Sequence, residues 1–161
     1  MSLVMNGCGY TQKSALPDTM KTIHVETVKN KIPVKKIYAY HPGLEMMISN
    51  EVVKRLNRDG NLKVMPKDKA DVILETDITG FDQEGLRFNS LENVEEYRLL
   101  ITVDIRLVEA ATKKIIWEEK EFVGDADSFV SDVRSIAREE AAQRAVERLS
   151  KNIVDRIVED W

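Results

Sequence analysis

The sequence predicts an α+β fold, with two helices packed on one face of a mostly antiparallel four-stranded sheet. Three observations predict it. Residues 97–108 alternate apolar and polar with period two, the signature of a strand with one buried face. A short turn at Ala110-Ala111-Thr112-Lys113 leads straight into a second strand-like run, so the pair is an antiparallel hairpin. Two segments carry apolar residues at helical spacing, one before this hairpin and one after it.

The elements follow in order. Gly9 to Met20 is polar and reads as a tether. Thr22-Ile23-His24-Val25-Glu26-Thr27-Val28 alternates and is rich in β-branched residues, so it is a strand. Lys29 to Pro42 reads as a basic connection, with a short extended piece around Ile37-Tyr38-Ala39-Tyr40. Leu44, Ile48, Val52 and Leu56 recur every fourth residue with Met47 beside them, which marks an amphipathic helix. Gly60 stands where a left-handed C-cap is easiest for glycine. Leu62 to Met65 is a short strand stopped by Pro66, and Ala70 to Phe81 a longer one.

In the clearest strand, Tyr97, Leu99, Ile101, Val103, Ile105 and Leu107 form one face. Arg98, Thr102, Asp104 and Arg106 form the other, with Leu100 the apolar exception. Lys114 to Val123 is its partner. A long helix, about Asp132 to Asp160, closes the chain, with Ala142, Val146, Leu149, Ile153 and Ile157 as its core stripe. Charges of both signs cover the rest of that helix, which does not suit an interfacial lipid-binding helix.

Composition narrows the function classes. The 161 residues suit residues 1–21 as a signal remnant and tether, followed by one domain over 22–161. The chain is 43% hydrophobic and 32% charged, which is globular composition. A net charge of −4 argues against a general nucleic-acid binder, which carries a basic footprint. One cysteine and two histidines leave little material for a metal centre or a disulfide framework. No segment approaches the roughly 18 consecutive apolar residues of a membrane span.

Candidate chemistry is sparse. Glu75, Asp104 and Glu118 could act as paired carboxylates, or simply decorate the wet face of a sheet. Ser49, Ser128 and Ser131 have no neighbouring His in a nucleophile arrangement, and there is no Gly-x-Ser-x-Gly, Walker loop or dinucleotide fingerprint. His24 on a strand and His41 before Pro42 read as surface and loop residues. The expectation is a non-enzymatic protein without cofactor or metal.

Two basic features are more informative. Lys29, Lys31, Lys35 and Lys36 crowd one connection and could attract phosphates or an anionic lipid head group, or be a solvated loop. Arg87 lies in Gly85-Leu86-Arg87-Phe88-Asn89-Ser90 between two strands. Such a tip could touch acyl chains and phosphate together, or continue an edge with Arg87 in water.

The lone cysteine, Cys8, follows Met5-Asn6-Gly7. A small residue before a cysteine near the start of the chain fits the end of a bacterial lipoprotein signal, where the thiol takes a lipid; a free thiol in a frayed tail is the alternative. The stretch before Cys8 lacks the basic and apolar regions of a complete signal, so a precursor with a longer leader is expected.

These residues together resemble the lipopolysaccharide-assembly lipoproteins of the LptE family. Gly7-Cys8-Gly9-Tyr10 is similar to the Cys-Gly-aromatic start of the family's mature chain, and Leu16-Pro17-Asp18-Thr19-Met20-Lys21-Thr22-Ile23 to its lead into the first strand. Ala70-Asp71-Val72-Ile73-Leu74 and Glu96-Tyr97-Arg98-Leu99-Leu100-Ile101-Thr102-Val103 resemble its second and third long strands. The resemblance implies lipidation at Cys8, anchoring at the periplasmic face of the outer membrane, and a place inside the β-barrel LptD. There the family assembles and plugs the barrel and contacts lipopolysaccharide. Gly9 after Cys8, in place of Asp, fits release to the outer membrane. Arg87 lies near the family's basic position before the third strand. The family's second basic contact, after the fourth strand, falls here on acidic Gly124-Asp125-Ala126-Asp127-Ser128. A lipoprotein scaffolding another envelope complex is the alternative reading.

Overall fold

The computed structural model describes residues 20–33, 41–130 and 134–159. Six strands form one mixed sheet: β1 Thr22–Val25, β2 Lys29–Asn30, β3 Lys63–Val64, β4 Val72–Phe88, β5 Val94–Glu109 and β6 Ile115–Phe129. Helix α1 spans Leu44–Asp59 and α2 spans Arg134–Glu159. The strand order is β3-β1-β4-β5-β6, with β2 also on β4.

Both helices, the long strands and the hairpin turn lie where the sequence places them, and the α+β class holds. The four-stranded, mostly antiparallel sheet does not. β1 runs parallel to β3 and to β4, and β2 runs parallel to β4. The chain crosses from β1 through α1 before returning as β3, and a crossover of that length returns a strand parallel to its predecessor. The start of the basic connection is a strand rather than a loop. Lys29 and Asn30 continue the edge laid down by β1, and Lys31 N–H donates to Ile78 O at 2.8 Å. The extended piece expected at residues 37–40 lies outside the described residues.

β4, β5 and β6 are longer than their sequence patterns suggest. The apolar alternation that marks a strand ends where the helices stop covering it, but backbone pairing continues to Phe88↔Val94 and Glu96↔Phe129. The acidic run Gly124–Ser128 therefore lies inside β6 rather than after a strand.

The core lies between the helices and one sheet face. Tyr97, Leu99, Ile101, Val103, Ile105 and Leu107 are buried there, facing Leu44, Ile48, Val52 and Leu56 of α1 and Val146, Leu149, Ile153 and Ile157 of α2. α2 rests on β5 and β6, and α1 on α2, β1 and β3. Gly60 takes the left-handed conformation (φ 82°) past α1 and donates to Leu56 O at 3.0 Å, the expected cap. Each fully buried large aliphatic side chain adds about 1.5–3 kcal/mol to the hydrophobic term, so this interface dominates stability.

Candidate functional site: an uncovered charged face and a protruding arm

Opposite residues in an antiparallel pair share a face. The register therefore lines Glu84, Asp82, Asp77 and Glu75 of β4, Arg98, Asp104 and Arg106 of β5, and Asp127, Asp125 and Glu118 of β6 along the face turned away from the helices. Two arginines on the central strand organise it. Arg106 Nη2 lies 3.2 Å from both Glu75 and Asp77, and Nη1 lies 4.0 Å from Glu118. Arg98 holds Asp127 through two bonds, Nε–Oδ1 at 2.7 Å and Nη2–Oδ2 at 3.0 Å, with Asp125 at 3.5 Å. The hydrogen bond from Arg98 pulls the Asp127 carboxyl below its usual range and raises the guanidinium above its own.

The structure thus divides the three candidate carboxylates between two partners. Glu75 and Glu118 flank Arg106, and Asp104 accepts the N–H of Glu121 at 3.1 Å. Glu121 is a left-handed residue (φ 55°) where the β5/β6 register shifts, so Asp104 fastens an irregular step in the sheet. The residue that sequence reasoning missed is Asp77. It is 4% exposed and meets Lys31 Nζ at 2.7 Å and Arg106 at 3.2 Å. Its place on the polar period of β4, two residues from Glu75, was the available signal.

The acidic run 124–128 is likewise neutralised within the fold: besides Arg98, Arg148 of α2 reaches Asp125 at 3.0 Å. The histidines are structural. The His24 Nδ1 hydrogen bonds Met65 O at 3.1 Å; the His41 ring stacks on Phe81 at 6.4 Å with Nε2 3.3 Å from Glu139. Ser49 Oγ donates to Glu45 O, while Ser131 lies outside the described residues.

The basic candidates do not converge. Lys29 and Lys31 sit on the sheet edge level with Asp77 and Ile78. Arg87 lies ten residues beyond Asp77 along β4, roughly 30 Å away at about 3.3 Å per residue. It is not in a loop: it pairs with Glu96 across the β4/β5 ladder, as the edge-continuation reading has it. Its guanidinium is 3.3 Å from Glu96 and 5.3 Å over the Phe129 ring, with its side chain 54% exposed. Cys8, Lys35 and Lys36 lie outside the described residues.

Beyond Asp82 the hairpin leaves the helices. Residues 83–95 are exposed apart from the half-buried Asn89, so β4 and β5 continue as an arm wetted on both sides. Its turn is tied by Asn89, whose Oδ1 accepts from Leu91 N and Asn93 N at 2.9 and 3.1 Å. Leu86, Phe88, Leu91, Val94, Phe129 and Val130 are all exposed at this end of the sheet.

This arrangement defines a class: a two-layer α+β domain with one charged sheet face that neither described helix covers, and an apolar-tipped arm. The same fold appears in a protein of Xanthomonas campestris, 13% identical over 89% of this chain and 87% of that one, TM-score 0.61. It also appears in a hypothetical protein of Chlamydia trachomatis (14%, 87% and 96%, TM-score 0.58) and in uncharacterized lipoprotein B of Nitrosomonas europaea (15%, 98% and 94%, TM-score 0.53). No curated protein matches the sequence. The sequence profile of the lipopolysaccharide-assembly family LptE matches residues 20–161, and the chain belongs to that family.

Proposed function

We propose that this chain is an outer-membrane lipoprotein that assembles with and plugs a lipopolysaccharide-export β-barrel of the LptD type, helping deliver lipopolysaccharide to the cell surface. The family match over residues 20–161 carries the reading. Lipid on Cys8 would hold the domain at the periplasmic face of the membrane, with residues 9–21 as tether. The open charged face supports the plug role, because a hydrated barrel lumen accepts a polar surface without desolvating unpaired charge. Carboxylates engaged by Arg106 and by the β6 backbone support a non-catalytic role.

Lipopolysaccharide contact would fall to Lys29, Lys35 and Lys36, whose ammonium groups suit phosphates, and to Lys31 only where a phosphate draws it from Asp77. Arg87 would join them only where a phosphate displaces Glu96. The decisive experiment co-expresses the full precursor with the LptD-like barrel of the same genome. Capture of the chain should retain the barrel, and Cys8→Ser should remove acyl labelling and membrane attachment. Capture of a soluble partner instead points to another envelope complex. Replacing the four lysines by Gln should weaken lipopolysaccharide binding; unchanged binding removes them from the site.

A further inference from the structure

The arm carries its apolar side chains in the open. A ribbon wetted on both faces gains little burial of its own, and six exposed apolar side chains collect at its end, with Leu91 78% and Phe129 60% exposed. The rim is acidic. Between residues 83 and 96 stand Glu84, Glu92, Glu95 and Glu96 against the single cation Arg87. Arg87 is itself drawn onto Glu96 at 3.3 Å, with Glu95 at 4.0 Å.

That combination selects the occupant. An anionic membrane surface or a phosphorylated lipid meets four carboxylates before it meets one shared guanidinium. A protein recess with an apolar floor and a border of Lys and Arg satisfies both halves: the floor takes Leu91, Phe88 and Phe129, and the border pairs with the glutamates. We infer that the arm tip is a protein-docking element that inserts into an apolar, basic-rimmed recess of the chain's partner. This rests on the barrel being that partner, and names the surface through which it is held.

The test uses the full chain, co-expressed with the LptD-like barrel and purified in detergent. A benzoylphenylalanine photo-crosslinker at Leu91 should join the barrel. The double variant Phe88→Ser/Leu91→Ser should bind the barrel about tenfold or more weakly, as expected for loss of a central apolar anchor. Glu92→Lys/Glu95→Lys should slow association and reduce its salt dependence. Unchanged thermal unfolding in both variants shows that the fold is intact.

If the wild-type chain holds the barrel but Leu91 crosslinks only to lipid or lipopolysaccharide, or both variants bind normally, the inference is overturned and the barrel assignment stands. If the wild-type chain does not hold the barrel, both fall. As a counter-probe, the Cys8→Ser chain should not sediment with phosphatidylethanolamine–phosphatidylglycerol vesicles. Sedimentation that Leu91→Asp abolishes would make the tip a lipid contact and end the proposal.

Discussion

Asp71 fastens the start of β1 to the start of β4. One carboxylate oxygen accepts from Lys21 N and Thr22 N at 2.9 Å and from Thr22 Oγ1 at 2.6 Å, while Asp71 N donates back to Thr22 Oγ1 at 2.9 Å. The bond from the Thr22 hydroxyl, then those from the two backbone amides, hold its carboxyl below the ordinary value of 3.8. A group whose folded pKa is depressed contributes stability above its unfolded pKa and loses it as pH falls through the folded one. Asp71→Asn should therefore cost about 1–3 kcal/mol near neutral pH, and the gap from wild type should shrink as pH falls below about 3.8. Denaturant unfolding at pH 7 and pH 3 checks this; a gap that widens in acid contradicts it. In sequence Asp71 reads only as an acid within a strand, because its partners lie some fifty positions away in the chain.

α2 approaches β6 closely at Gly124. A Cβ added at Gly124 would lie 2.3 Å from Leu149 Cβ and 2.8 Å from the Ala145 carbonyl oxygen, both on α2. The helix can come this near only over a strand position without a side chain. Gly124→Ala should push α2 off the sheet and cost about 2–3 kcal/mol, lowering Tm by about 2–4 °C for each kcal/mol. Unfolding thermograms decide it, and an unchanged Tm would show that α2 slides freely. α1 and α2 were legible in the sequence because their stripes of Leu, Ile and Val record burial directly. The glycine that seats α2 stands in sequence only as part of an acidic run, since a missing side chain says nothing about what comes close to it.

At the scale of the whole molecule, stability is polarised. The long strands are covered by the helix layer at one end and bare at the other. Amides of Gln83 to Val94 should exchange much faster than those of Leu99 to Leu107, where opening requires sub-global unfolding. Hydrogen exchange by mass spectrometry measures the contrast, and equal protection in the isolated chain would mean that the arm is covered. Binding of the barrel should slow exchange in the arm selectively.

The two helices, the β5–β6 hairpin and the family are legible in the amino-acid sequence, because periodicity, turn residues and short motifs are local properties of the chain. The polar face of β5, with Arg98, Thr102, Asp104 and Arg106, is legible there too. Only the tertiary structure decided that β1 and β2 lie parallel to β4, that Asp77 is sealed between Lys31 and Arg106, and that Arg87 stands on a strand beside Glu96. Each of these rests on contacts between residues far apart in the chain. Strand direction depends on how a crossover returns, and the charge a side chain presents depends on which opposite charge the fold sets beside it.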